Sequence, residues 1–201
     1  MAKSTRKKSV PRKSAPRPAA KKSAKKSARK PAARDEQAQM EAWQRTMTPG
    51  AGHARFEPMV GTWIAKTTMV MGPGATPMVS EGVSDHRLIL DGRYLEQHYR
   101  GSAMGMPFEG RGYTAYDNAR KRYVGTWMDN FGTGMMHSVG SGKPTDGRMD
   151  FTAESHDPMG KLVKFDCRLT IRDRNHHTYE MWTKAPGGKR YRCMLIEYSR
   201  T

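Results

Sequence analysis

From Gly61 to Thr201, short runs of β-forming residues alternate with turn residues at regular spacing, and this pattern limits the possible folds most strongly. In the clearest run, residues 163–171, every second residue is apolar (Val163, Phe165 and Cys167 among them) and the residues between are mostly charged. Successive side chains of a strand point to opposite faces, so this run predicts a half-buried antiparallel strand. The predicted strands are residues 62–71, 78–90, 93–102, 107–117, 121–130, 134–141, 148–155, 162–173, 176–185 and 189–199.

The connections between these strands are short and rich in turn residues, as in Asp91-Gly92, Asp146-Gly147 and Pro186-Gly187-Gly188. Ten strands joined in this way form a meander, which exposes two sheet edges unless it closes on itself. The predicted fold is therefore all-β, a closed antiparallel up-and-down barrel of about ten strands, with room inside for a small ligand. A two-sheet sandwich is the alternative, although it usually has longer crossover connections.

The net charge of +17 is concentrated at the N-terminus. Residues 1–34 contain 14 basic residues and no acidic residue, whereas the rest of the chain has a balance of only +3 and all 17 aromatic residues. Met1 and Val10 are the only large apolar residues of this N-terminal segment, and such a segment cannot offset its ordering entropy. We expect a disordered polycationic arm at 1–34, a helical linking segment at 35–60, and the barrel at 61–201.

The Lys, Ala, Ser and Pro composition of the arm resembles the tails of linker histones and bacterial histone-like proteins. Nucleic acid or another polyanion is the favoured partner, because neutralised phosphates release counterions. A solubilising extension and an anionic membrane surface are the alternatives. The predicted contact residues are Lys21, Lys22, Lys25, Lys26, Arg29 and Lys30.

The linking segment predicts one short helix that begins at Asp35, a good N-cap residue. Met40, Trp43 and Met47 form a narrow apolar stripe, and Thr48-Pro49-Gly50 ends the helix. We expect the stripe to dock onto the barrel, and a partner-binding helix is the alternative.

Several classes of protein are excluded or disfavoured by simple features. No apolar run approaches the roughly 18–20 residues that cross a bilayer, and no apolar segment of a signal peptide follows the basic N-terminus. We therefore expect a cytoplasmic protein, associated with the nucleoid if the arm binds DNA. The two cysteines, Cys167 and Cys193, suit a reducing compartment. The sequence does not predict the oligomeric state.

The sequence Gly61-Thr62-Trp63 resembles the opening G-x-W of the lipocalin and fatty-acid-binding (calycin) barrels. In those barrels the Trp closes the base and packs against a basic residue on the last strand. The resemblance therefore implies a stack between Trp63 and Arg200.

A longer resemblance covers about residues 40–201. The segments 104–113, 123–127 and 132–134, together with Leu90-Asp91-Gly92-Arg93 and Tyr198-Ser199-Arg200, resemble the bacterial domain-of-unknown-function 1579 family. This resemblance implies a lipocalin-like β-barrel and supplies no activity.

Trp127, Asp129 and Phe131 alternate along one predicted strand and would share one face. If that face is inward, Asp129 is a buried carboxylate that needs a partner, and Arg111 on the preceding strand is the natural one. The pair would anchor the head group of a ligand; a structural ion pair or a hydrogen bond to a turn is the alternative. The candidate pocket residues are Arg111, Tyr113, Trp127, Asp129, Phe131, Met135 and His137.

Motifs for nucleophilic or metal-dependent catalysis are absent from the sequence, so no catalytic residue and no metal site is predicted. No cofactor is predicted; the alternative is a single inward histidine that ligates haem, as in nitrobindin-like barrels, with His98 or His137 as candidates. The adjacent His176 and His177 are expected to be solvated at a tight turn. Fifteen of the 16 methionines lie after residue 34, where Met fills irregular cores or lines adaptable binding surfaces.

Three functions from different classes follow from these features. The first is a barrel that binds a small, largely apolar ligand and is held on nucleic acid by the arm. The second is an enzyme of unrecognised type that uses Asp129, Arg111 and Tyr113. The third is a structural nucleoid-associated protein in which the barrel is only a folded cap.

Overall fold

The computed structural model describes residues 33–142 and 147–201. Ten antiparallel strands form a closed barrel in which each strand pairs with its neighbours in sequence and β1 pairs with β10. The strands are β1 (Gly61–Met69), β2 (Met78–Ile89), β3 (Tyr94–Ala103), β4 (Met106–Asp117), β5 (Arg122–Asp129), β6 (Met136–Ser141), β7 (Arg148–His156), β8 (Leu162–Ile171), β9 (His176–Lys184) and β10 (Arg190–Arg200). The predicted barrel is confirmed, and every strand end lies within two residues of its predicted position. The β1–β10 ladder, from Trp63↔Arg200 to Met69↔Met194, excludes the open sandwich.

An up-and-down barrel sends alternate turns to opposite ends. The turns that follow β1, β3, β5, β7 and β9 lie at one end, which we call the open end. The other end, the closed end, is covered by α2 (Ala51–Ala54) and by a single 3₁₀ turn, Glu57–Met59. Phe56 and Met59 are buried there against Leu95, Tyr123 and Met149, so the segment before β1 forms an apolar plug.

Trp63 and Arg200 fasten this plug to the barrel. Trp63 is fully buried, and its Nε1 donates to Met59 O at 2.8 Å. The Arg200 guanidinium lies 4.2 Å from the Trp63 ring centroid and donates to Val60 O and Pro58 O at 2.8 and 3.0 Å. The predicted Trp63–Arg200 stack is confirmed. Gly61 has φ +134°, and a Cβ at this position would overlap Arg200 Nη1.

The helix α1 (Ala33–Met47) forms as predicted, two residues earlier than expected, but it does not dock through its apolar stripe. Met40, Trp43 and Met47 are 53%, 59% and 40% exposed, so the expected packing onto the barrel is wrong. The end of the helix is instead held by polar contacts, in which Asn118 Nδ2 donates to the carbonyl oxygens of Arg45 and Thr48.

Residues 1–32, which include all six predicted contact residues of the basic arm, lie outside the described residues. In the part of the chain that is described, each helix is too short or too polar to cross a bilayer.

Candidate functional site

The barrel interior contains a cavity of about 780 Å³ that opens at the open end. Small residues make this space. Thr114, Gly125 and Ser138 occupy neighbouring positions on β4, β5 and β6 and face inward, where larger side chains would fill the barrel. The wall is predominantly apolar and aromatic, and includes Tyr99, Phe108, Trp127, Phe131, Met136, Phe151, Phe165, Tyr179, Met181 and Ile196.

Asp129 and Arg111 do not form the expected inward pair. The register pairs Gly110 with Asp129 and Arg111 with Met128, so the two side chains lie on opposite faces of the barrel wall. Asp129 lines the cavity, as do Trp127 and Phe131, whereas Arg111 lies outside. The expectation of an Asp129–Arg111 pair is wrong because the strands are offset by one residue from the register it required.

The Asp129 carboxylate is instead held by its own strand and turn. Trp127 Nε1 donates to Asp129 Oδ2 at 2.9 Å, and the Phe131 backbone N–H donates to Oδ1 at 3.0 Å. The turn-bonding alternative is therefore the observed one. Phe131 in turn packs edge-to-face on Phe108, with ring centroids 5.0 Å apart, near the cavity entrance.

Arg111 and Tyr113 belong to a cluster on the outer face of the barrel that is centred on Glu96. The Tyr113 hydroxyl donates to Glu96 Oε1 at 3.0 Å, Arg87 Nε forms an ion pair with Oε2, and Arg111 Nη1 lies 3.8 Å from Oε1. The Arg87 and Tyr113 hydrogen bonds lower the pKa of Glu96 below its usual range. Arg111 and Tyr113 are thus separated by the barrel wall from Asp129, and the three residues do not form one cluster.

The remaining candidate residues also lie away from the cavity. His137 is exposed on the outer face of β6, in register with Glu154, and Met135 is exposed in the turn after β5. His98 lies on the outer face of β3, where its Nε2 is 2.7 Å from Glu109 Oε1. Because neither His98 nor His137 reaches the cavity, the residues that were expected to ligate haem do not fit that group.

Sequence reasoning missed a group of polar residues in the barrel interior next to the plug, which we call the polar floor: Ser84, His86, Gln97, His177 and Tyr198. Gln97 Nε2 donates to Ser84 Oγ at 3.1 Å and to Tyr198 Oη at 3.0 Å, and Ser84 Oγ lies 2.9 Å from His86 Nε2. His86, Gln97, His177 and Tyr198 line the cavity.

His177 is 2% exposed and not solvated, so the expectation for it is wrong. Its ring stacks on Tyr198 with centroids 4.2 Å apart and meets the edge of Trp63 at 4.3 Å. Its register with Ile171 and Tyr198 turns it inward, whereas the neighbouring His176 is exposed. The alternation of His177, Tyr179, Met181 and Thr183 in the sequence was the signal that could have revealed this.

The two histidines of the polar floor are neutral, and some of their ring nitrogens lack hydrogen-bond partners. Burial, with a smaller effect of the Arg200 charge, lowers the pKa of His86 to about 4 and that of His177 to about 3. In the described residues, His86 Nδ1 and both ring nitrogens of His177 have no hydrogen-bond partner. Buried polar atoms are normally paired, so these three nitrogens, which are covered by the surrounding side chains, are unsatisfied groups of the polar floor.

The two cysteines are thiols that pack near each other across β9. Cys167 faces inward as predicted, and burial raises the pKa of its thiol to about 11. A thiol with this pKa stays protonated at neutral pH and is a poor nucleophile.

A closed ten-stranded barrel, plugged at one end and open to an apolar cavity at the other, defines the structural class of this chain. Residues 48–200 match the model of the family described as "Protein of unknown function (DUF1579)". The chain belongs to this family. No curated protein matches it in sequence.

Several solved structures are similar to this chain. The crystal structure of Rv2717c from M. tuberculosis shares 19% sequence identity, with a TM-score of 0.56 over 76% of this chain and 98% of that chain. This level of similarity shows the β-barrel fold. A redesigned β-barrel shares 15% identity, with a TM-score of 0.39 over 72% of this chain and 93% of that chain.

Proposed function

We propose that the barrel binds a small, largely apolar molecule in its interior. The observation that carries this proposal is the cavity of about 780 Å³ with its aromatic and methionine-rich wall. Ligand sites typically occupy about 300–1,000 Å³ and combine an apolar wall with a few polar groups. Burial of an apolar molecule against such a wall is favourable because of the hydrophobic effect.

The polar floor supports a more specific description of the ligand. Its side chains are uncharged, because burial keeps His86 and His177 neutral at neutral pH. A ligand with an apolar body and an uncharged polar group at its inner end would suit this floor. A charged head group would lose its hydration there, since the side chains of the floor are neutral.

Native mass spectrometry of the gently purified full-length chain tests this proposal. We expect a species heavier than the polypeptide under native conditions that releases a small molecule on denaturation. The Ser138→Trp variant, which places an indole in the cavity, is expected to lack the adduct, and Val139→Trp, on the outer face of the same strand, to retain it. A ligand-free wild-type chain that also binds no apolar probe would contradict the proposal.

We further propose that the N-terminal arm holds the barrel on nucleic acid or another polyanion. The support is its charge, 14 basic residues and no acidic residue in residues 1–34. Electrostatic binding of this kind weakens steeply with salt, because each neutralised phosphate releases counterions.

Full-length variants test the arm. Replacing Lys21, Lys22, Lys25, Lys26, Arg29 and Lys30 by Gln should lower DNA affinity at 0.1 M salt and reduce its salt dependence. The control replaces Lys66, Lys121 and Arg172, exposed basic residues of the barrel, and is expected to change little. Equal losses in both variants would contradict a role for the arm.

The alternatives are separated by the same measurements. The enzyme hypothesis loses its basis in one cluster, because Asp129 faces the cavity while Arg111 and Tyr113 contact Glu96 outside. A structural nucleoid-associated protein would bind DNA through the arm and carry no molecule in the barrel.

A further inference from the structure

The open end of the barrel carries a concentration of exposed apolar side chains. Nine of the large hydrophobic residues that are exposed in the described part of the chain lie on or beside its turns. We call them the apolar rim: Met71, Met78, Val79, Met104, Met106, Phe131, Met135, Met159 and Leu162. Exposed fractions reach 90% for Met159, 67% for Met71 and 56% for Met104. Apolar patches of this kind on a folded domain mark interaction surfaces.

The rim follows the order of the turns around the barrel. The turns after β1, β3, β5 and β7 each carry at least two rim residues, and the fifth turn, after β9, carries Lys184 and Lys189 instead. Lys161 lies in the turn after β7. Within residues 33–142 and 147–201, no ion pair involves these three lysines. The open end is thus apolar over four turns and cationic at the fifth.

Two acidic residues of the open end, Asp129 and Asp157, lie in or beside the turns after β5 and β7, whereas the turn after β9 has none. Asp157, in the turn after β7, accepts hydrogen bonds from the backbone N–H groups of Met159 and Lys161, both at 2.9 Å. Asp129 accepts hydrogen bonds from Trp127 Nε1 and the Phe131 backbone N–H. Both carboxylates stabilise these turns, and the turn after β9 keeps its positive charge.

One rim residue also departs from the usual turn preference. The hairpin between β3 and β4 has positive φ at both Met104 (51°) and Gly105 (76°). Asn, Asp and Gly are the residues that adopt this turn readily, so a methionine there costs conformational energy for a side chain that ends in solvent. The turn thus does not explain the large apolar side chain at this tip, which is 56% exposed beside the cavity entrance.

We propose that the open end of the barrel docks on a lipid surface that contains anionic phospholipids. Methionine and phenylalanine side chains at the rim would enter the boundary between head groups and acyl chains, and the lysines would contact phosphates at its edge. The rim surrounds the cavity entrance, since Met71, Met104, Phe131 and Lys184 also line the cavity. Docking would then place that entrance against the bilayer.

Other occupants fit the rim less well. The arm of the same chain contains only Met1 and Val10 as large apolar residues, and its charge has the same sign as the rim lysines. A second copy that paired open end to open end would bring like charges together. A bilayer with anionic lipid complements both the apolar and the cationic part.

Vesicle flotation of the full-length chain tests this proposal. Vesicles of phosphatidylcholine and phosphatidylglycerol (7:3) are used at 0.5 M NaCl, where binding through the arm is suppressed by screening. The rim variant is Met104→Ser with Met159→Ser. The matched control is Leu90→Ser with Ile64→Ser, because Leu90 is also exposed with φ 50° but lies at the closed end, and Ile64 is exposed on the outer wall.

We expect the wild type and the control to float with the vesicles and the rim variant to partition at least about tenfold less. At 0.1 M NaCl, Lys184→Gln with Lys189→Gln should weaken binding to the mixed vesicles more than Lys66→Gln with Lys121→Gln does. Failure of the wild type to float at 0.5 M NaCl, or equal loss in the rim and control variants, would overturn the proposal. Self-association that is abolished by the rim variant, in place of flotation, would also overturn it.

This inference does not depend on a ligand in the cavity. The Ser138→Trp variant fills the interior and leaves the rim unchanged, so it should still float. Conversely, a rim variant that no longer floats but still binds an apolar probe would show that lipid docking can be lost while the cavity remains functional.

Discussion

The side chains of His177 and Tyr198 stack with ring centroids 4.2 Å apart and an interplanar angle of 13° in the interior of the barrel. Tyr198 Oη accepts a hydrogen bond from Gln97, while neither nitrogen of His177 has a partner in the described residues. The pair gives the cavity an inner end that is aromatic and neutral.

This environment predicts a pH dependence of stability. The pKa of His177 is about 3 in the folded chain and close to 6.5 when unfolded. Its contribution to stability is therefore complete above pH 6.5 and is lost as pH falls toward 3, by about 1.4 kcal/mol per pH unit. His177→Phe keeps an aromatic ring and should lose less stability than the wild type between pH 7 and pH 5, measured by urea unfolding.

The control for this experiment is His176→Gln. It replaces the neighbouring histidine, whose side chain is exposed, and should leave the loss between pH 7 and pH 5 in place. The window stops at pH 5 because the carboxyl groups titrate below it. A wild-type loss that persists in full in His177→Phe would show that His177 is not buried in its neutral form.

Arg200 is predicted to matter for stability more than its surface position suggests. It covers Trp63 and donates three hydrogen bonds to the carbonyl oxygens of Val60, Pro58 and Arg174. Arg200→Ala should lower the free energy of unfolding by about 2–4 kcal/mol. Arg200→Lys keeps the charge but not the planar fork, so it should fall in between.

The comparison variant is Arg172→Ala, which removes an exposed arginine from the same end of the barrel and should cost less than about 0.5 kcal/mol. Equal losses for Arg200→Ala and Arg172→Ala in urea unfolding would contradict the closing role of the Trp63–Arg200 stack.

The outer Glu96 cluster is expected to be structural. Tyr113→Phe removes one hydrogen bond to Glu96 and should cost about 0.5–1.5 kcal/mol of stability without changing ligand affinity. Trp127→Ala removes part of the cavity wall and should weaken the binding of an apolar probe by about tenfold or more. A probe affinity that depends on Tyr113 and not on Trp127 would contradict the assignment of the two faces.

The fold could be predicted from the sequence because strand alternation and turn residues are local signals. The run from Val163 to Ile171 shows both its length and its inward face directly. The pairing of side chains across strands is not local, because a shift of one residue in register moves a whole set to the other face. Alternation along one strand therefore groups Trp127, Asp129 and Phe131 correctly. The placement of Arg111 depends on the register between two strands, and its expected position on the inner face is wrong.

The polar floor and the apolar rim are not predicted from the sequence, for two different reasons. His177 follows a turn directly, and a histidine beside a turn is usually solvated, so its inward orientation depended on register with Tyr198. The rim is recognisable only when alternate turns of an up-and-down barrel are assigned to one end. This assignment requires only the up-and-down topology, which the sequence predicts. The rim could therefore have been predicted from the sequence.

Binding of the neutral fluorophore N-phenyl-1-naphthylamine to the full-length chain tests the central claim most directly. Ser138 faces the cavity and Val139 the outside of the same strand, so Ser138→Trp and Val139→Trp add the same side chain to opposite faces. Saturable binding to the wild type and to Val139→Trp, with a loss of at least about tenfold in Ser138→Trp, is the predicted result. Equal binding to all three chains, or binding to none, would contradict a ligand site in the barrel.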